Sequence, residues 1–232
     1  MMSLAGCAGG GSQSSGQPGL KVAEEALRGG TPLIAMQVAQ GVLARTPDDV
    51  PALLVQADAA TQLGRNNDAA ATYQRVLHLR PDSTHAKIGL GRQRLMTDPH
   101  EAVTLFQDVA RREPRNLSAL NNLGIARDLL GQHHEAQDAY RQARAVDPAN
   151  VAARVNLALS LAMSGDSANA VPLIAPLAND PTASAQVRHD YAAVLAMAGR
   201  EGEAEKILVR DMSPAEVRQV LEALRQQRNG AR

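Results

Sequence analysis

Prolines punctuate this chain at a near-constant interval: Pro47, Pro81, Pro114, Pro148 and Pro181 lie 34, 33, 34 and 33 residues apart. A period of that length constrains the fold more than any other property. A unit so small cannot bury an apolar face alone and must stack on copies of itself. Each proline ends an apolar, helix-like segment: GVLARTP, RVLHLRP, DVARREP, QARAVDP and APLANDP. Proline has no N–H to donate, so it closes the helix before it. A small residue precedes each one, Ala35, Ala69, Ala102, Ala136 and Ala170, and a turn glycine stands further upstream in most units, at Gly30, Gly64, Gly131 and Gly165, with Gly199 later. Two helices per period, joined by a glycine turn and ended by a proline, fit these spacings.

The clearest unit is LSALNNLGIARDLLGQHHEAQDAYRQARAVDP, residues 117 to 148. Its Leu120, Leu123, Gly124, Gly131, Ala136, Tyr140, Ala143 and Pro148 resemble the signature of a tetratricopeptide repeat (TPR). An earlier unit carries Leu53, Ala57, Gly64, Ala69, Tyr73, Val76 and Pro81. The unit between them is one residue short in its turn but keeps Leu90, Gly91, Ala102, Phe106, Val109 and Pro114. The residues before Pro47 read as a degenerate first unit. Two weaker units follow, with Leu157, Ala158, Gly165 and Ala170, then Tyr191, Ala192, Gly199 and Ala204. The expected fold is therefore all-α, a TPR α-solenoid of five to six helical hairpins. Small residues let the helices of a hairpin approach closely, and Tyr73, Phe106 and Tyr140 fill the space between hairpins.

Three segments follow: residues 1–19, 20–211 for the array, and 212–232 for its end. Ser213-Pro214-Ala215-Glu216 has the hydroxyl, proline and carboxylate of a helix start, and Val217, Val220, Leu221 and Leu224 share one face. Residues 214–228 thus read as a capping helix, with a partner-binding helix as the alternative. Asp98-Pro99-His100-Glu101 starts a helix by the same logic. Pro172 fits a first helical turn, but Pro176 is expected to kink or shorten its helix, or to mark a bend between two subarrays.

Composition removes several functions. Aromatics make up 2% of the chain, so base or sugar stacking has little to work with. Lys+Arg and Asp+Glu both number 24, leaving no basic surplus for nucleic acid. No apolar run reaches the roughly 18 residues of a membrane span. No catalytic or cofactor motif occurs: the glycine-rich start lacks the Lys and hydroxyl of a phosphate loop, GLGRQR lacks a third glycine, and G-x-S-x-G and H-E-x-x-H are missing. Adjacent His133 and His134 diverge on a helix and read as exposed turn residues. The expectation is a non-enzymatic protein with no cofactor and no metal.

By resemblance, the first helix of each TPR unit lines a groove for a protein or peptide segment. Carried over by position, that groove holds Leu54, Val55 and Asp58; His85, Ile88 and Arg92; Asn121, Asn122, Ile125 and Asp128; Val155, Asn156 and Leu159; and His189, Asp190 and Ala193. Asn122 and Asn156 are 34 apart, equivalent in successive units. An amide both donates and accepts, so two in register could hold a peptide backbone of any sequence; the alternative is that Asn is simply common there. Chaperone-tail receptors of this family use a Lys/Asn/Arg cluster, and of the matching positions only Arg92 is basic. The groove reads as more apolar, with Met96, Met163 and Met197 near its rim.

The only cysteine, Cys7, closes Leu4-Ala5-Gly6-Cys7 and is followed by glycine and serine. This resembles the bacterial lipobox, in which the cysteine is cleaved free and lipidated. Only six residues precede Cys7, fewer than a signal peptide needs, so a start placed too late is the expected explanation; a chance match is the alternative. Ala8 favours the outer membrane over retention at the inner membrane. A lipobox, a tether and a TPR array together resemble the TadD family of tight-adherence (Flp) pilus assembly lipoproteins. That resemblance implies an outer membrane lipoprotein facing the periplasm and pilotin-like for an outer-membrane secretin. The other readings are a soluble cytoplasmic TPR scaffold and an envelope adaptor for peptidoglycan enzymes. The partner's identity and the oligomeric state are left open.

Overall fold

The computed structural model describes residues 18 to 230, and Cys7 lies outside them. The described residues form helices α1 (Pro18–Arg28), α2 (Pro32–Leu43), α3 (Val50–Gln62), α4 (Asn66–Leu79), α5 (Thr84–Arg94), α6 (Pro99–Arg112) and α7 (Leu117–Leu129), followed by α8 (His133–Val146), α9 (Val151–Met163), α10 (Ser167–Ala178), α11 (Ala185–Met197), α12 (Glu201–Leu208) and α13 (Pro214–Gly230). They contain no strand. These are six helical hairpins and a terminal helix, the TPR architecture expected. The chain separates at Asp82 and Ser83 into two compact units, so α1–α4 and α5–α13 are described separately.

Local chemistry sets the elements. Each first helix of units two to six is capped: the side chains of Asp49, Ser83, Asn116, Asn150 and Ser184 accept from the N–H three residues on. That satisfies one of the donors a helix start leaves unpaired. Gly30, Gly64, Gly131, Gly165 and Gly199 have φ of 71°, 70°, 71°, 87° and 79°, the left-handed conformation that costs other L-residues energy. The short third unit turns through Leu95, Met96 and Thr97 without such a glycine, and Asp98 caps α6 through Glu101 N at 3.0 Å.

Within a hairpin the helices meet through small residues. Ala35, Ala69, Ala102, Ala136, Ala170 and Ala204 are all fully buried. Opposite them on the first helices stand Ala57, Gly91, Gly124, Ala158 and Ala192. Residues 15 or 16 further on are the large side chains Tyr73, Phe106, Tyr140, Ile174 and Leu208, all buried. A Cβ on Gly91 would stand 2.6 Å from the Phe106 ring, and one on Gly124 would overlap Tyr140.

In the α5–α13 unit, one cluster runs from Ala136 and Tyr140 through Val155, Ile174, Tyr191 and Leu208 to Val217. α13 closes it. Val217 is buried, Val220, Leu221 and Leu224 pack beside it, and Ser213 and Glu216 cap each other reciprocally, with Ser213 N donating to Glu216 Oε2 at 2.8 Å. This is the expected capping helix. Arg228 donates to the Ala196 carbonyl at 2.9 Å and pairs with Glu201 at 3.1 Å.

Pro172 and Pro176 both lie inside α10, which has 12 residues where α4, α6 and α8 have 14. The helix is shortened, but no boundary between units falls there. Ile174, between the prolines, sits in the continuous cluster and ties α10 to its neighbours. The shortening expected at Pro176 is what α10 shows, and the division between units falls instead at Asp82 and Ser83.

Lys87 is buried where the equivalent first-helix positions 53 and 120 hold leucine. It pairs with Asp108 of α6, which also takes Arg111 at 2.6 Å and Arg112 at 3.3 Å. The Lys87 and Arg111 bonds hold the Asp108 carboxyl down at about 2.

Gly124→Ala should lower stability by about 2 kcal/mol by overpacking against Tyr140, read as a lower urea midpoint. Gly202→Ala, where a Cβ meets nothing, should be neutral or stabilising by up to about 1 kcal/mol. Asp108 is more acidic folded than unfolded, so the unfolded chain takes up the proton first on acidification. Its stabilisation is complete above the ordinary carboxylate value and is lost as pH falls towards 2. Allowing for solvent around the arginines it is worth about 1 kcal/mol. Urea titrations at pH 5 and pH 2.5 should show that part of the acid loss disappearing in Asp108→Asn.

Candidate functional site: the pocket between α7 and α9

Between α7 and α9 lies an open pocket of about 210 Å³. Ile125, Asp128 and Leu129 line it from the last turns of α7, Asn156, Leu159 and Met163 from α9, and Tyr140 from α8. Four of the expected groove residues, Ile125, Asp128, Asn156 and Leu159, therefore share one cavity, with the rim methionine Met163 beside them. Leu129, which periodicity did not single out, is 46% exposed.

The polar part of the pocket is wired shut. Asp128 Oδ1 accepts from Ser160 Oγ at 2.7 Å and from His133 Nδ1 at 2.8 Å, and Oδ2 accepts from the Tyr140 hydroxyl at 3.0 Å. A carboxylate only accepts, so the His133 proton resides on Nδ1. Burial, and then the adjacent Asp128 charge, push the Tyr140 phenol above its ordinary range. His133 begins α8 and is partly buried against Asp128 rather than freely exposed in a turn; His134 is exposed. With each Asp128 oxygen engaged, the carboxylate is a fastener between α7, α8 and α9. It leaves the cavity to Ile125, Leu129, Leu159 and Met163.

The asparagines are arranged differently from the expected ladder. Asn122 is buried, and its amide donates to the Ser118 carbonyl at 2.7 Å, one turn back on its own helix. Asn156 Nδ2 instead donates to Asn121 Oδ1 at 2.9 Å, linking α9 to α7 beside the pocket. Val55 and Val155 are buried as core. Leu54 and Asp58 belong to the α1–α4 unit, where Asp58 accepts from the Tyr73 hydroxyl at 2.5 Å. Ile88 packs against the cluster around Phe106, and Arg92 is exposed and donates to Ser118 Oγ at 2.8 Å. His189 Nε2 lies 3.2 Å from Asp211, and Asp190 accepts from Gln186 Nε2 at 2.8 Å. Met96 is 82% exposed, whereas Met197 is buried in the core and not on a rim. Among the described residues no group of three His, Cys, Asp or Glu is placed to hold a metal, and no helix is long and apolar enough to cross a membrane.

Stacked hairpins that leave an apolar cavity between successive first helices define a protein-interaction scaffold. The chain belongs to the tetratricopeptide repeat family, which matches residues 20–92 and 126–184, more than half its length. A comparison with curated proteins finds no match. Among solved structures, it is similar to PilW, titled a widely conserved type IV pilus biogenesis factor, with 22% identity, 88% of this chain and 97% of that chain covered, and a TM-score of 0.76. It is also similar to MamA from Desulfovibrio magneticus RS-1 (22% identity, 68% and 90% covered, TM-score 0.63) and to a thermophilic TPR protein of Thermus thermophilus (20%, 74% and 96%, 0.62). At these identities the likeness is one of fold.

Asp128→Ala should strand the Tyr140 and Ser160 hydroxyls and cost about 3 kcal/mol, read as a lower urea midpoint. Tyr140→Phe, which removes one donor and keeps the ring, should cost about 1 kcal/mol.

Proposed function

We propose that the chain is a non-catalytic, lipid-anchored TPR scaffold of pilus assembly, pilotin-like, and of the tight-adherence (Flp) type its sequence resembles. The observation that carries this reading is the likeness in fold to the pilus biogenesis factor PilW over 88% of the chain. It coincides with the lipobox-like Leu4-Ala5-Gly6-Cys7 at the head of the sequence. A diacylated cysteine would hold the array against the periplasmic face of the outer membrane durably, since two chains anchor where one binds reversibly. From there the pocket between α7 and α9 would take a segment of a secretin or another pilus component. The chain would serve as a carrier and assembly aid, and its chemistry would be confined to binding.

The test is made in the native host. Cys7→Ser should abolish incorporation of labelled palmitate, move the protein from the outer-membrane to the soluble fraction, and reduce heat-resistant secretin multimers at least fivefold. Ile125→Glu, with the anchor intact, should leave localisation unchanged and reduce secretin recovery on the purified protein. An unlipidated wild-type protein in the cytosol, or normal secretin multimers in both variants, would refute the proposal.

A further inference from the structure

On α11, the first helix that follows the pocket, lies a carboxylate that enters no ion pair among the described residues. Asp190 occupies the position on α11 that Asn156 occupies on α9, 34 residues on, and the two helices pack together. It is half-buried, and among the described residues its one hydrogen bond is the Gln186 amide at 2.8 Å. Burial raises its carboxyl above the ordinary range, against the smaller pull of Gln186 and the His189 ring. The cations of α9 and α11 are engaged elsewhere: Arg188 binds Asp211 at 2.8 Å and Arg154 donates to the Leu173 carbonyl at 3.1 Å; on α13, Arg225 and Arg228 pair with Glu201. Asp128, by contrast, has all its acceptor demand met inside the protein. The groove of this unit thus offers one apolar cavity and, on the next first helix, a half-buried carboxylate with a single hydrogen bond among the described residues. At the cavity itself is the Asn121–Asn156 pair, with an amide donor on Asn121 and an acceptor on Asn156 uncommitted among the described residues.

From this juxtaposition we propose that the groove selects an extended protein segment in which an apolar side chain of leucine, methionine or phenylalanine size enters the α7–α9 pocket and a lysine or arginine, C- or N-terminal to it, meets Asp190. The volume, about 210 Å³, suits one such side chain, since a cavity of about 150 Å³ accepts benzene. Successive first helices lie about 10 Å apart, so Asp190 on α11 stands about 15 Å from the middle of the gap between α7 and α9; an extended chain rises about 3.3 Å per residue and turns alternate side chains to the same face, so the two anchors are about four residues apart. A cation beside Asp190 restores the charge balance that burial disturbs. Selection of a basic partner thus arises from a cost already built into the free protein. The inference rests on the reading of the chain as a binder of protein segments and is independent of the pilus role.

The probe is an acetylated, amidated decapeptide of glycine and serine carrying one phenylalanine and, four positions on, one arginine, so that both side chains share one face. Companion peptides have the order reversed, the arginine replaced by glutamate, or the phenylalanine by alanine. Binding to the full chain is followed by methyl NMR. The expected result is a shift of the Ile125, Leu159 and Met163 methyl signals with one of the two orders, at least fivefold weaker binding for the glutamate peptide, and loss of the methyl shifts for the alanine peptide. In Asp190→Asn, the arginine and glutamate peptides should bind within twofold of each other. The wild-type comparison needs no variant, so a misfolded Asp190→Asn does not leave the question open. Absence of shifts at those methyls, equal affinity for the arginine and glutamate peptides, or a preference unchanged in Asp190→Asn overturns the proposal. So do methyl shifts that track protein concentration without peptide, which would assign the pocket to a second copy of the chain. Secretin recovery in the host reports separately, so failure here and failure of the pilus reading are distinguishable.

Discussion

The close approach of two helices across a small residue is the constraint on which the rest of this structure depends. In α7 and α8 there is no room between Gly124 and the Tyr140 ring for even one more carbon. The same contact recurs at Gly91 and Phe106, and in the later hairpins a methyl on Ala158 or Ala192 is matched by the smaller Ile174 or Leu208. Volume is part of the balance: Phe106 and Tyr140 lie against a glycine, while Ile174, Leu208 and the ring of Tyr73 follow an alanine at the same position. Because interiors are close-packed, a hairpin that keeps this balance presents the same outer ridges as its neighbour, and stacking can propagate. Nearly everything else, from the turn glycines to the terminal helix, maintains or ends that stack.

The pocket is a by-product of the same geometry. Tyr140 passes under α7 to reach Asp128, so the carboxylate is drawn inward and bonded to three partners from α8 and α9. What is left between the first helices is apolar, because the polar group there has been consumed. A site formed in this way is rigid at its base, which reduces the ordering a ligand must impose. Its selectivity must then come from groups that are not consumed, and in this unit those lie at Asn121, Asn156 and Asp190.

How far the sequence reveals all this depends on whether a property repeats. The alanines, turn glycines, ring positions and terminal helix recur at 33 or 34 residues or carry a start signal, and each could be placed from residue type and spacing alone. The caps at Asp49, Ser83, Asn116, Asn150 and Ser184 recur equally and were readable from the same register. The polar wiring does not recur. Ser160 reaches Asp128 across 32 residues, a separation that matches no repeat step. Asn122 and Asn156 are equivalent in sequence, yet Asn122 bonds its own helix at Ser118 and Asn156 bonds Asn121 of the neighbouring first helix. Periodicity gives position on a helix. It does not give the partner a polar side chain finds among competing ones.

A single repeat position shows how far such departures can go. Residues 53, 87, 120, 154 and 188 are equivalent, and they read Leu, Lys, Leu, Arg and Arg. Leu53 and Leu120 are buried at the hairpin contact. Lys87 keeps that burial and brings Asp108 of the second helix with it; Arg154 takes the Leu173 carbonyl of proline-bearing α10; Arg188 takes Asp211 beyond α12. A cation here costs desolvation that a leucine does not, so stability alone would not select it. Each cation finds its acceptor 19 to 23 residues on, in the second half of its own unit; for Lys87 and Arg188 that acceptor is a carboxylate, and for Arg154 it is a backbone carbonyl. In an array whose units otherwise resemble one another, such pairs tie the two halves of a single unit together. They also engage the basic side chains of α9 and α11 inside the hairpins, and Asp190, two residues after Arg188, forms no ion pair among the described residues.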